Sequence, residues 1–108
     1  MIPKNLSYSD SVAYVASVVV KATPGTVFRI SGYNSGAAQF VQLHNTATLP
    51  ADAAIPAIVF AVAATSNFDY DLSDTGRYCG TGIVISNSST APTKTIGAAD
   101  IFFNILYW

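Results

Sequence analysis

Few residues in this chain could carry out chemistry. There is one histidine, one cysteine and no glutamate, beside six aspartates. A general base needs an orienting carboxylate and a nucleophile within hydrogen-bond reach, and His44 is the single imidazole that could serve. No G-x-S-x-G motif presents an activated serine to it. We therefore expect His44 to be a structural or interface histidine late in a strand, and we predict no catalytic residue and no enzymatic activity.

The run D-Y-D-L-S-D at residues 69–74 has the carboxylates of a calcium loop but fails the full pattern. An EF-hand loop needs Gly at its sixth position and Glu at its twelfth. Those positions hold Asp74 and Gly80 here. We expect Asp69 and Asp71 to form the solvent face of a strand and Asp74 to open a turn, and we predict no metal ligand.

Two further sequence features, a closely spaced glycine pair and the single cysteine, are explained by structural roles and not by ligand binding. Gly80-Thr81-Gly82 resembles the start of a phosphate-binding loop, but no third Gly or Lys follows and the next segment is a strand. Closely spaced glycines before a strand favour a bulge or tight bend, so we predict no nucleotide or other cofactor. A single cysteine excludes an internal disulfide and a cysteine zinc cage, and we expect Cys79 to be a small buried hydrophobe.

The composition of the chain favours an assembly component. Hydrophobic residues make up 51% and charged residues 10% of the 108, where about 25% charged residues are usual. This shortage of charge predicts apolar surface that other subunits cover. The basic residues are scattered and the net charge is −1, so no direct nucleic-acid contact is expected. The apolar run 12–20 is too short to span a membrane, and no signal peptide is recognisable, so we expect synthesis in the cytoplasm.

The hydrophobic pattern predicts one all-β domain at 12–108 after an extended N-terminal arm at 1–11. Alternating or Val-rich segments predict strands, and all six acidic residues are Asp, which suits turns. The expected strands are 12–21, 26–33, 37–44, 57–64, 66–72, 82–87 and 100–108, with 77–79 leading into a further turn. Residues 26–44 read as a hairpin, and 57–64 as a central strand covered on both faces. Seven to eight short strands indicate an antiparallel β-sandwich or small barrel.

The last predicted strand is apolar on both faces, so one face fills the core and the other needs a cover. We expect the arm and this strand to supply the main contacts with neighbouring subunits. The interface candidates are Ile2, Leu6, Tyr8, His44, Phe103, Tyr107 and Trp108.

The stretch 27–97 resembles small tailed-bacteriophage capsid decoration (cement) proteins. In these proteins a strand pair of the form "YN…A.FVQLHN" precedes a loop of the "LPADAAIP" kind, and a half of the form "TGRYC.TGI.I.NSST..TKTIGAAD" leads into an aromatic strand. The matching segments here are 33–34, 40–45, 49–56, 75–85, 87–90 and 93–100, and the resembling stretch covers about two-thirds of the chain.

The resemblance implies a jelly-roll-like virion protein that binds the outer capsid surface and stabilises the head. It implies the major capsid protein as partner, a location on the capsid exterior and no catalytic residues. Low charge and the resemblance together predict a homotrimer. Two alternatives stay open: a tail, neck or head-fibre component of the same virion, and a carbohydrate-binding module, because exposed Tyr and Trp stack on sugars.

Overall fold

The structure is a computed structural model that describes residues 6–108, and this part of the chain consists of β-strands and loops without a helix. The strands are β1 (Ser7–Asp10), β2 (Ser17–Lys21), β3 (Gly25–Asn34), β4 (Gln39–His44), β5 (Ile58–Val62), β6 (Ser66–Asp71), β7 (Arg77–Cys79), β8 (Ile83–Ser88) and β9 (Ile101–Tyr107). Their pairings are antiparallel throughout. The predicted all-β antiparallel class is confirmed, with nine strands where seven to eight were expected.

The strands form two sheets. The first sheet has the order β1-β9-β3-β6, with the short β7 paired to β3 beyond the end of β6, and the second has the order β2-β8-β4-β5. With β7 set aside, the pairs β1·β9, β2·β8, β3·β6 and β4·β5 are nested one inside the next along the chain. Eight strands paired in this way are a jelly roll, in which two Greek keys enclose one core. The jelly-roll-like sandwich is therefore confirmed.

The core lies between the two sheets, and alternation along each strand decides which side chains enter it. In β3, Ile30 is fully buried while its neighbour Arg29 is exposed. Phe60 of β5 stacks on Tyr70 of β6 with ring centroids 4.5 Å apart, and this contact joins the edges of the two sheets. The buried core residues are Val27, Ile30, Val41, Leu43, Val62, Cys79, Ile83, Ile85, Ile101, Phe103 and Ile105.

Two expectations about strand pairing are wrong. Residues 26–44 do not form a hairpin, because β3 belongs to the first sheet and β4 to the second. The segment expected as a central strand forms β5, an edge strand beside β4, on which Val59 and Ala61 are exposed. Alternation indicates which face of a strand is buried but not which strand lies beside it. The pattern therefore could not distinguish a hairpin from a crossing between sheets, or a central strand from an edge strand.

The predicted N-terminal arm is partly a strand. Ser7–Asp10 forms β1, which pairs with β9 at the edge of the first sheet. The strand expected from residue 12 begins at Ser17 instead, because residues 12–14 form a raised loop. Val12 has φ of 65°, a left-handed conformation that β-branched residues rarely adopt. Ser11 anchors this loop to β9: its backbone N–H donates to the Phe103 carbonyl, and the Phe103 N–H donates to the Ser11 hydroxyl.

The outer faces of the two sheets differ. Loops 45–57 and 89–100 fold over the second sheet and bond to each other, with the Lys94 N–H donating to the Ala54 carbonyl over 2.8 Å. Beneath them the outward-facing Gln42 of β4 and Ser86 of β8 are fully buried. The outer face of the first sheet is open, and Asp69 on its edge strand β6 is exposed. Surface available for binding therefore lies on the first sheet and at the ends of the sandwich.

Candidate functional site

One end of the sandwich presents aromatic side chains around a pocket of about 390 Å³. Tyr78 is 64% exposed and Trp108 is 50% exposed, and both line this pocket. Lys21 and Pro24 complete the surface, which we call the aromatic end (Lys21, Pro24, Tyr78 and Trp108). It combines two large rings with a single positive charge, a composition suited to contact with another protein.

The backbone holds the aromatic end in place. The Trp108 N–H donates to the Thr26 carbonyl and the Thr26 N–H donates to the Trp108 carbonyl, each over 2.8 Å. Tyr78 lies on β7 directly opposite Thr26. A side-chain carbon at Gly25 would lie 2.8 Å from the Trp108 carbonyl oxygen, so glycine permits this close approach. Tyr78 is therefore held in β7, and Trp108, which directly follows β9, is held by its two backbone bonds to β3.

Several of the predicted interface residues meet at or beside this end. Ser7 pairs with Tyr107 and Tyr8 with Leu106, so the start of β1 lies against the end of β9, next to Trp108. Tyr8 is exposed, and Leu6 and Tyr107 are half-buried. Ile2 lies outside the described residues.

Two predicted interface residues are corrected. Phe103 is fully buried in the core, where it packs edge-on against Phe68, because its position on β9 points inward. His44 does not face a subunit boundary: it is 2% exposed and lies under the loops that cover the second sheet. Neither side chain is available to a neighbour.

The environment of His44 does not resemble a catalytic site. Burial first, and the nearby Lys94 ammonium second, lower the pKa of His44 below its usual 6.5. Lys94 is itself 3% exposed, and its ammonium lies 3.9 Å from a carboxylate oxygen of Asp52. The imidazole is therefore held neutral in the interior, in contact with the chain itself.

A second surface occupies the open face of the first sheet. A groove of about 480 Å³ lies there, and we call it the open-face groove. Tyr14 in the raised loop forms part of its wall and is 51% exposed. The other residues that line it are Arg29, Ser31, Gly32, Tyr33, Asn67, Asp69, Phe102, Asn104 and Phe68, whose ring packs on Phe103 in the core. They come from β3, β6 and β9, whose outward positions lie side by side in the sheet.

The charges within the open-face groove compensate each other. The Arg29 guanidinium donates two hydrogen bonds to the Asp69 carboxylate, one of them from Nε to Oδ1 over 2.7 Å. This bonding raises the pKa of Arg29 and lowers the pKa of Asp69. Both groups stay ionised over a wide range of pH, so the pair is a fixed and neutral unit at the groove.

The remaining sequence features have structural roles. Asp69 and Asp71 are exposed on β6 and Asp74 lies in the following turn, as predicted. Gly80 lies in the predicted bend, and Cys79 is fully buried, also as predicted. Burial raises the pKa of the Cys79 thiol, against a smaller opposing effect of Arg77.

A polar network that sequence reasoning missed fixes loop 89–100. The Asn87 side chain donates to the Ala98 carbonyl over 2.6 Å and to the Asp100 carboxylate over 3.2 Å. The Gln39 amide donates to the same Asp100 oxygen and to the Asn34 side chain, each over 2.9 Å. Asn34 and Asn87 are fully buried, so the network satisfies polar groups that would otherwise destabilise the fold.

Neither known proteins, nor metal-binding groups of side chains, nor membrane-spanning helices give a further indication of function. No family model, curated protein or solved structure matches the chain. In residues 6–108 no group of three or more His, Cys, Asp or Glu side chains is placed to hold a metal ion. The same residues include no helix long and apolar enough to cross a membrane.

Proposed function

We propose that this chain is a non-enzymatic structural subunit that binds the outer surface of a tailed-phage capsid through its aromatic end. The observation that carries the proposal is the exposure of Tyr78 and Trp108 on either side of Thr26, where both line one pocket. Tyr and Trp dominate the energetics of protein interfaces, because they bury much area at the cost of few rotatable bonds. The jelly-roll fold and the resemblance to decoration proteins agree with this role.

The aromatic end is preorganised for docking on a partner. Its backbone is fixed by the reciprocal bonds between Thr26 and Trp108, so docking costs little ordering entropy. Among the residues that line the pocket, Lys21 has the one charged side chain, so few charged side chains must be desolvated on docking. The partner in this proposal is the major capsid protein, and the location is the exterior of the virion.

Many weak contacts are sufficient for such a role. On a closed lattice, joined copies bind with an avidity that exceeds the affinity of a single contact. We propose a homotrimer as the joined unit, in line with the low charge of the chain. Light scattering on the purified protein should then give about three times the chain mass of 11.3 kDa. A monomer at all concentrations would contradict the trimer.

The buried state of the single histidine supports a binding role over an enzymatic one. A general base must reach the proton that it removes. His44 is enclosed beneath loop 89–100 and is bonded within the chain. A reaction at this imidazole would require that loop to open.

The test is co-sedimentation of the purified chain with DNA-free heads of the phage whose genome encodes it. The double variant Tyr78→Ala, Trp108→Ala should bind at least about 30-fold more weakly, the loss expected for an interface hot spot. Tyr14→Ala is the matched control, because Tyr14 is similarly exposed but lies on the open-face groove. It should bind heads like the unmodified chain.

Two results would overturn the proposal: wild-type protein that does not sediment with heads, or a double variant that binds as tightly as wild type. Gold-labelled antibody on intact virions separates the head from the tail. Label over the whole head agrees with a decoration subunit, whereas label confined to the tail, neck or fibres contradicts it in favour of those locations.

The contact predicted for the N-terminal arm needs a narrower test than removal of residues 1–11. That deletion would remove β1 and expose the edge of β9, so a loss of binding could reflect damage to the sheet. Deletion of residues 1–5 keeps β1 intact, and these residues immediately precede the part of β1 beside the aromatic end. We expect this shorter deletion to weaken head binding without changing the circular dichroism spectrum. Unchanged head binding would contradict an arm contact.

A further inference from the structure

We propose that the open-face groove binds a neutral saccharide, with Tyr14 as a stacking platform and Asn67 and Asn104 as partners of its hydroxyl groups. This site is separate from the aromatic end, so it goes beyond the docking function and does not depend on it. Three properties of the groove carry the inference: its aromatic rings, its side-chain amides and its compensated charge.

The aromatic rings supply the apolar part of the site. Tyr14, Tyr33 and Phe102 all line the groove. Tyr33 and Phe102 are paired neighbours on β3 and β9, so their outward side chains are adjacent on the sheet. A pyranose ring has an apolar face of C–H bonds, and an aromatic ring covers such a face while a tyrosine hydroxyl remains available for polar contact.

The amides supply the polar part. Asn67 and Asn104 line the same groove, from β6 and β9 on either side of β3. Among the contacts of residues 6–108, neither side-chain amide is hydrogen-bonded within the chain. Each amide carries an acceptor oxygen and two donor hydrogens, and a sugar hydroxyl also donates and accepts. The groove thus presents unused bonding capacity of the type that matches a polyol.

The charge of the groove favours a neutral ligand. Arg29 and Asp69 compensate each other through two hydrogen bonds, which leaves no unpaired cation to hold a phosphate or sulfate. Asp71 adds negative charge nearby on the same face of β6, which repels an anionic ligand. The paired guanidinium still has N–H groups that it does not use on Asp69, and these can donate to hydroxyl oxygens.

The raised loop makes the site a groove instead of a flat sheet face. Val12 adopts its left-handed conformation at the start of this loop, and Tyr14 forms part of the groove wall. The Ser11 hydroxyl donates to the Ala13 carbonyl over 2.7 Å and accepts from the Phe103 N–H over 3.0 Å. The loop is therefore held in shape before any ligand arrives, which lowers the entropic cost of binding.

The test is a titration of the ¹⁵N-labelled chain with neutral disaccharides at millimolar concentration, followed by NMR. The probes are cellobiose, maltose, lactose and chitobiose. At least one of them should shift amide resonances of β3, β6 and β9 around the groove in a saturable manner. Tyr14→Ala and Asn104→Ala should each weaken that binding at least about tenfold. Tyr78→Ala, which alters the aromatic end, should bind the same sugar like wild type.

Two outcomes of the titrations with the neutral probes would overturn the saccharide site. One is the lack of saturable shifts with all four probes. The other is a set of shifts that survives both groove substitutions or maps to the aromatic end. Sulfated lactose serves as the charged comparison, and tighter binding of it than of lactose would contradict a site for neutral sugars. Loss of head binding is tested with substitutions at the aromatic end and loss of sugar binding with substitutions in the groove, so the saccharide site and the docking function can fail independently.

Discussion

The imidazole Nε2 of His44 lies 3.0 Å from the side-chain oxygen of Gln42, two residues earlier on β4. The orientation of Gln42 is fixed, because its side-chain nitrogen donates to the carbonyls of Thr90, Ala91 and Thr93 in the covering loop. An amide oxygen can only accept, so His44 must donate from Nε2. The neutral Nε2–H tautomer is thus built into the fold, and the pair ties β4 to loop 89–100.

This arrangement predicts that stability falls when the pH is lowered from about 8 to about 5. The folded-state pKa of His44 is lowered from 6.5, so below about pH 6.5 the unfolded chain takes up a proton that the native chain does not. The free energy of unfolding should be at its full value above pH 6.5. It should decrease below that pH by up to about 1.4 kcal/mol per pH unit, until the folded imidazole also protonates.

Urea unfolding followed by circular dichroism at several pH values measures this effect. His44→Gln removes the titrating group and should flatten the dependence over the same interval, which stays above the range in which most carboxylates titrate. An equal slope in the variant would assign the pH dependence to other groups.

Two serines on the covered face of β8 should respond oppositely to truncation. The Ser86 hydroxyl is buried without a hydrogen-bond partner among residues 6–108, whereas the Ser88 hydroxyl donates to the Thr90 carbonyl and accepts from the Thr95 N–H. We expect Ser86→Ala to be neutral or to stabilise by up to about 1 kcal/mol, and Ser88→Ala to destabilise by about 2 kcal/mol. Urea midpoints of the two variants provide the comparison, and equal losses would be inconsistent with these contacts.

Gly32 and Gly80 form a matched pair for a backbone test. A side-chain carbon at Gly32 would lie 1.9 Å from the Phe102 carbonyl oxygen, whereas one at Gly80 would meet nothing closer than 3.6 Å. Gly32→Ala should therefore destabilise by about 3 kcal/mol or more, since β3 and β9 must separate to admit the methyl group. Gly80→Ala should change the unfolding free energy by less than about 1 kcal/mol. Similar melting temperatures for the two variants would show that the close approach to Phe102 is relieved cheaply.

Replacement of Val12 by glycine should increase the stability of the fold. This side chain is 85% exposed, so little packing is lost when it is removed, while its left-handed φ is unfavourable for a β-branched residue. Val12→Gly should stabilise by about 1 kcal/mol, the relief of strain exceeding the added entropy of the unfolded chain. Thermal unfolding monitored by circular dichroism tests this, with Val12→Ala as a control that retains most of the strain. A lower melting temperature for the glycine variant would mean that the valine side chain makes a stabilising contact.

The strands could largely be predicted from the sequence, and their arrangement could not. Alternation of Phe28 and Ile30 with polar neighbours identified β3, and residues 66–72 gave β6 almost to its observed ends. Which strands lie side by side depends on long-range packing that period-two patterns do not encode. This is why the chain crossing after β3 was mistaken for a hairpin.

For the candidate surfaces, the exposure of some residues could be predicted from the sequence, whereas the grouping of residues into one surface could not. Trp108 was expected at an interface because the last predicted strand is apolar on both faces, and Tyr8 because it lies in the predicted N-terminal arm. Tyr78 was not identified, since nothing in the sequence places β7 beside Thr26. Asn67 and Asn104 belong to one groove only because β6 and β9 both flank β3.

The pairing of β1 with β9 bears on how the chain folds during its synthesis. Ser7 meets Tyr107, so the first sheet stays incomplete on the ribosome until almost all of the described residues have emerged from the exit tunnel. Contacts between such distant segments make folding slow, because the entropy cost of closing a long loop comes before the stabilising contacts of the paired strands form. Nascent chains therefore carry an uncovered strand edge until residues 101–107 have left the exit tunnel, and only then can the first sheet be completed.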